Sequence, residues 1–150
     1  MLETGNPLAM PWRDRVKAIV QAWYPGQAGG QAIAEILTGR VNPSGRFPIT
    51  FPAALAHTPR SELPGLGTPW GTPTTIRYDE GAEVGYRWSA KRGVKPLYVF
   101  GHGLSHARFA YRDLAVHGGE TLTASFTVEN TGSREGLDVP QVYLTAVGGE

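Results

Sequence analysis

Cysteine is absent from this 150-residue chain, which excludes disulfides, thiolate catalysis and cysteine-ligated zinc. That absence does not single out a cellular compartment. No apolar run is long enough to span a bilayer, and the first residues lack the basic and apolar pattern of a secretory signal. No membrane partner is therefore expected from the sequence. An excess of one charge is missing too. The 14 basic and 13 acidic residues leave a formal charge of +1, with Lys and Arg scattered rather than clustered. That balance offers no footprint for nucleic acid. What the chain does have is Gly, 20 residues, and Pro, 12 residues, a composition of turns and shaped loops rather than a helical bundle. A hydrophobic fraction of 41% argues for a folded chain over a disordered one. The length suffices for one compact domain that buries roughly two-thirds of its unfolded surface.

The start, Met1-Leu2-Glu3-Thr4-Gly5-Asn6-Pro7, reads as the last residues of a strand running into a loop. Val16 through Trp23 is a short apolar run closed by Tyr24-Pro25-Gly26, which suits a buried parallel strand. A helix competes, because Val16, Ile19, Val20 and Trp23 also fit a 3.6-residue period. Residues 29–39 predict a helix with Ile33, Ile36 and Leu37 on one face and Gly39 as its stop. Asn42-Pro43-Ser44-Gly45 is a turn, and Phe47 through Pro52 an edge-type extended segment, since Pro48 has no N–H to donate. Together these predict an open α/β layer.

From Ala53 to Thr75 the chain is rich in Pro, Gly, Thr and Leu without periodicity, the mark of a functional loop or linker. Order resumes around Tyr78, Tyr86, Arg87 and Trp88, and again at Leu97 to Ser105. After Phe109 the pattern changes. Leu122, Ala124, Phe126 and Val128 alternate with polar residues, as on a half-buried antiparallel strand. With strands near Leu114–His117 and Val139–Leu144, three of the about seven strands of an immunoglobulin-like sandwich are present. The fold class expected is α/β: a partial α/β-sandwich layer, residues 1–108, followed by an incomplete β-sandwich, residues 109–150. The chain reads as truncated at both ends.

In order and spacing, several motifs resemble one family. They are Glu3-Thr4-Gly5-Asn6-Pro7, Ala22-Trp23-Tyr24-Pro25-Gly26-Gln27, Asn42-Pro43-Ser44-Gly45-Arg46 and Pro48-Ile49-Thr50-Phe51-Pro52. Tyr78-Asp79-Glu80-Gly81 with Val84-Gly85-Tyr86-Arg87-Trp88, Phe100-Gly101-His102-Gly103-Leu104-Ser105, and Asn130-Thr131-Gly132 with Gln141-Val142-Tyr143 complete them. The sequence resembles family 3 glycoside hydrolases of β-glucosidase type, from within the α/β-sandwich domain into the fibronectin type III-like domain that follows. The resemblance implies retaining hydrolysis of a β-glucoside or oligosaccharide in carbohydrate metabolism, without a cofactor, in parents that are often periplasmic or secreted. It implies a missing N-terminal (β/α) barrel carrying the nucleophilic Asp, and an acid/base Glu upstream of the Gly5-Asn6-Pro7 loop. His102 and His106 depart from it, standing where the family often has Tyr.

The residues themselves are weighed beside that resemblance. Retaining hydrolysis needs two carboxyl groups roughly 5–5.5 Å apart. Only Asp79, Glu80 and Glu83 cluster, and 79 and 80 on an extended segment would face opposite ways. They read as loop-ordering charges, and no catalytic residue is expected in this chain. His102 and His106 lack the helix and the Glu that a zinc motif needs, so no metal is expected. His57 and His117 read as surface residues. Gly103-Leu104-Ser105-His106-Ala107 lacks the last Gly of a nucleophile elbow. Substrate-binding candidates are Glu80 and Arg87, near the mouth of the parent's sugar pocket, and Trp70, near a sugar site or a domain seam. The alternative reading is a non-catalytic glycan-binding or spacer module.

Overall fold

A computed structural model describes residues 1–144. They fall into two compact units, one of Met1–Gly29 with Phe47–His102, the other of Gly30–Arg46 with the chain from Gly103 onward.

In the first unit, Val20–Ala22 runs parallel to Leu2 in a single bridge: the Leu2 N–H donates to Val20 O and the Ala22 N–H to Leu2 O, both at 2.8 Å. The apolar run is thus extended at its end, as the strand reading expects, and not helical. Gln21 ties its side-chain amide to Thr4 O at 2.8 Å. A second extended pairing is antiparallel and lies around Pro48. The Phe47 N–H donates to His102 O at 2.8 Å and the Gly101 N–H to Phe47 O at 2.8 Å. Four residues on, Phe51 donates to Tyr98 O at 2.9 Å and receives the Leu97 N–H at 2.8 Å. Pro48 is exposed between these anchor points, where no ladder donor is needed.

This pairing gathers the unit's apolar centre. Phe47 stacks on Phe51 at 4.5 Å, Trp23 meets both rings edge-on at 6.2 and 6.1 Å, and Tyr98 stacks on His102 at 4.9 Å. Such offset and edge-on geometries let each ring's positive edge meet a negative face. Phe51, 1% exposed, is the one fully buried side chain among the described residues. His102 also lies 5.8 Å from the Phe47 ring, and so is a member of the cluster. Helix α2, Gly85–Arg92, sets Tyr86 against Phe100 with ring centres 5.9 Å apart. Sequence reasoning did not identify it: its face is aromatic and polar rather than apolar, and no side chain caps its start.

In the second unit, most of helix α1, Gly29–Leu37, leads into the turn at Asn42. Its predicted stop is confirmed, with Gly39 at φ +73°, a conformation that costs other residues a Cβ clash. The predicted face is only partly covered: Ile33 and Ile36 are half-buried, while Leu37 is 68% exposed.

Strands β1, Phe109–His117, and β2, Thr123–Asn130, form a two-stranded antiparallel sheet. Register runs from Phe109 opposite Asn130 to His117 opposite Thr123, with a bulge between Arg112 and Ala115 where two residues oppose Phe126. Asp113 takes the left-handed conformation at that bulge, φ +58°, which Asp tolerates better than most residues. Ala124 and Phe126 are half-buried as the predicted alternation expects, while Leu122 and Val128, placed on the same face, are 50% and 39% exposed. The third predicted strand, Val139–Leu144, forms no regular strand. The coarse architecture is that of a partial α/β domain with a short β-hairpin.

Candidate functional site

The long loop after Phe51 returns on itself within the first unit. Arg60 pairs with Glu80 at 2.6 Å, and its guanidinium lies 4.4 Å from the centre of the Tyr78 ring. The partners' side chains are 29% and 12% exposed, so this ion pair is shielded where most surface pairs are not. The Gly81 N–H bonds to Tyr78 O at 3.2 Å, which makes residues 78–81 a turn. Asp79, next in that turn, pairs with Arg77 at 3.2 Å in full solvent. On α2, Arg92 lies 4.6 Å over the Trp88 ring, one helical turn away.

Arg60, Arg77, Asp79, Glu80, Trp88 and Arg92 line a cup of about 460 Å³, walled also by Pro59, Pro64 and Thr75. Asp79 and Glu80 thus share one cavity. The extended geometry that would have turned them apart is replaced by the turn. Glu83, the third carboxylate of the cluster, pairs with Lys91 at 3.4 Å instead. Each carboxylate therefore has its own cation, as loop-ordering charges do.

Of the predicted binding residues, the structure brings only Glu80 to the cup. Arg87 is exposed on α2, and Trp70 stands fully in solvent on the loop. Sequence reasoning missed Arg60, Arg77 and Arg92. Arg92 was findable from its four-residue spacing after Trp88, had the helix been recognised. Arg60 carried no local signal, since its partner lies twenty residues on. His57, read as a surface residue, is half-buried with Nδ1 enclosed, because the short 3-10 turn Leu55–His57 folds it inward.

The second unit has a different constellation. Asp138 accepts from Arg46 at 2.7 Å, from the Tyr111 hydroxyl at 2.5 Å and from the Val139 N–H at 2.9 Å. The Tyr111 hydrogen bond is the largest influence holding the Asp138 carboxyl below its ordinary pKa; the Val139 and Arg46 bonds add to it, and burial opposes it. The same hydrogen bond raises the Tyr111 hydroxyl, with burial and the Asp138 charge adding to it.

Beside this hub, the Asn42 carboxamide oxygen accepts from Ser105 Oγ at 3.2 Å and the His106 N–H at 2.8 Å, while its nitrogen donates to Glu135 O at 2.9 Å. Ser105 is thereby spent on fixing a turn. Gly103 allows the approach: a Cβ there would lie 2.3 Å from Gly45 O. Below the bulge, an apolar groove of about 700 Å³ opens between the hairpin and the segment from Pro140, lined by Leu114, Val116, Leu122 and Phe126 among others. No group of three or more His, Asp or Glu with metal-binding geometry occurs among the described residues.

Comparison with known proteins agrees with the motifs. The chain is 40% identical over 152 residues to the thermostable beta-glucosidase B of Acetivibrio thermocellus, covering 98% of this chain and 20% of that protein. It is 42% identical over 149 residues to a beta-glucosidase of Rhizobium radiobacter, covering 96% of this chain and 18% of that one. Among solved structures, beta-glucosidase 3B from Thermotoga neapolitana, in complex with alpha-D-glucose, superposes with a TM-score of 0.77 at 43% identity. That match covers 88% of this chain and 18% of that one. The chain thus spans about a fifth of the length of these relatives. The sequence profile of the glycosyl hydrolase family 3 C-terminal domain matches residues 1–106, and the chain belongs to that family.

Proposed function

We propose that this chain is the C-terminal scaffold of a retaining β-glucosidase-like hydrolase, without turnover of its own. In the whole enzyme an N-terminal (β/α) barrel supplies the nucleophilic Asp and an upstream part of the α/β-sandwich supplies the acid/base Glu. Residues 1–108 complete that sandwich, and residues from 109 begin a fibronectin type III-like domain. The substrate of the whole enzyme is a β-glucoside or short oligosaccharide.

The observation that carries the reading is the state of the carboxylates. The three that cluster are each held by a separate cation, Asp79 by Arg77, Glu80 by Arg60 and Glu83 by Lys91. Retaining hydrolysis asks for two carboxyl groups roughly 5–5.5 Å apart, one acting as nucleophile and the other as acid/base. Here none of the three is left without a cationic partner, which suits carboxylates that order a loop. The match of about a fifth of each relative's length supports the same reading.

A chimera tests it. The matching segment of the Rhizobium radiobacter beta-glucosidase is replaced by this chain, and hydrolysis of a nitrophenyl β-glucoside is followed. A scaffold preserves turnover within about tenfold, because substitutions that leave the reacting groups in place cost little of the transition-state stabilisation. A folded chimera with no turnover contradicts the proposal.

A further inference from the structure

The cup between Arg60 and Arg92 is not used by the proposed function, and its chemistry is specific. Two guanidinium–carboxylate pairs line it, Arg60 with Glu80 at 2.6 Å and Arg77 with Asp79 at 3.2 Å. The third guanidinium, Arg92, has no carboxylate partner among the described residues and lies over Trp88 at 4.6 Å. An anion entering the cup meets two carboxylates, and a cation meets three guanidinium groups. The lining carries three guanidinium groups against two carboxylates, so a cation is not well served.

A neutral polyol is. Each hydroxyl of a vicinal diol donates one hydrogen bond and accepts another, so a neighbouring carboxylate and guanidinium satisfy both at once. The walls add the second half of a sugar's requirement. The Trp88 ring and the rings of Pro59 and Pro64 offer apolar surface to pyranose C–H groups. A volume of about 460 Å³ falls within the range of pockets that hold small ligands, roughly 300–1,000 Å³. Preorganisation comes from the inner pair. Arg60 is fixed by Glu80 and by the Tyr78 face, so less side-chain freedom is lost on binding. The outer pair, 77% and 73% exposed, is already wet and gives up little solvation to exchange water for hydroxyls.

We propose that this cup is an accessory, non-catalytic site for a neutral pyranose, in which the Arg77–Asp79 and Arg60–Glu80 pairs hold vicinal hydroxyls and Trp88 supports the ring. The site lies wholly within one unit and does not rest on the hydrolase reading. A failed chimera leaves it standing, and its own failure leaves the scaffold reading standing.

The test is titration of the 150-residue chain with methyl β-D-glucopyranoside, followed by amide and indole chemical shifts, with D-glucuronate in parallel. The expected result is saturable shifts at Trp88, Arg77 and Asp79, weaker for the acid than for the neutral sugar. Asp79→Asn and Arg77→Gln, both at exposed positions, each weaken binding about tenfold, the loss typical of a charge-assisted hydrogen bond. Lys95→Gln, exposed and outside the cup, leaves affinity unchanged. Any of four results overturns the proposal: no saturable shift, shifts confined to other residues, affinity unaltered by both variants, or tighter binding of glucuronate.

Discussion

The two units solve the same problem with different chemistry. The unit of residues 1–29 and 47–102 is centred on rings: Phe47, Phe51, Trp23, Tyr98 and His102 pack face to face and edge to face. The unit of residues 30–46 and 103 onward is centred on a polar hub, where Asp138, Arg46, Tyr111 and Asn42 tie three backbone segments together. In the first, stability follows buried apolar area, which is non-directional and forgiving of small shifts. In the second, it follows directional bonds whose loss strands a charge. Polar hubs of this kind specify one arrangement of loops, at the cost of being sensitive to protonation.

Removing the centre of the ring cluster gives the largest effect. Phe51→Ala is expected to cost about 3–5 kcal/mol, the range for deleting a buried Phe, out of a total that in ordinary domains is about 5–15 kcal/mol. Urea unfolding measures it.

Breaking the polar hub ranks next. Asp138→Ala leaves Arg46, whose side chain is only 12% exposed, without its carboxylate and with only the Ser44 and Gly45 carbonyls as acceptors, and is expected to cost about 2–3 kcal/mol in the same measurement. A conservative apolar repacking of the ring cluster, such as Phe47→Leu, leaves the pH dependence of stability unchanged, whereas Asp138→Ala flattens it.

That pH dependence sharpens the contrast. The Asp138 carboxyl is held below its ordinary value, first by the Tyr111 hydrogen bond, so it binds a proton more readily unfolded than folded. Its contribution is present above about pH 4 and is lost as the pH falls through and below the ordinary carboxylate range. The Tyr111 hydroxyl is shifted up and holds its proton more tightly when folded. Its contribution is present below about pH 10 and is lost as the pH rises beyond that. Tyr111→Phe removes the largest part of the first effect and all of the second: the acid limb moves toward ordinary carboxylate behaviour and the alkaline limb vanishes. Stability measured across the pH range reads out both limbs.

The smallest effect is expected outside both centres. Glu83→Gln loses an ion pair at 3.4 Å with a largely exposed Lys91 and is expected to change stability by less than about 0.5 kcal/mol.

Sequence reasoning reached these two regions unequally. The α1 helix, its Gly39 stop and the alternating β2 strand were legible because each is encoded in residues a few positions apart. The extended character of Phe47–Pro52 was legible from Pro48. Its partner was not, because the hydrogen bonds run to residues 97–102 and nothing local announces them. Helix α2 was missed for the opposite reason. Its local signal, Tyr86, Trp88 and the charged residues between and after them, does not distinguish a buried face from a solvated one. Of the polar hub only the Asn42 turn was legible. Asp138 and Arg46 lie 92 positions apart, and each looks alone like an ordinary surface charge. The cup was half legible: its carboxylates were noticed as a cluster, and its arginines were not. Motif resemblance reached furthest, since it carries tertiary information that periodicity lacks.

The most direct test of the central claim is hydrolysis of a nitrophenyl β-glucoside by the purified 150-residue chain at high concentration over several hours. Release no faster than in buffer is the predicted result, because the three clustered carboxylates are each held in an ion pair. Release that disappears in Glu80→Gln would contradict it and make the Asp79–Glu80 turn a catalytic site.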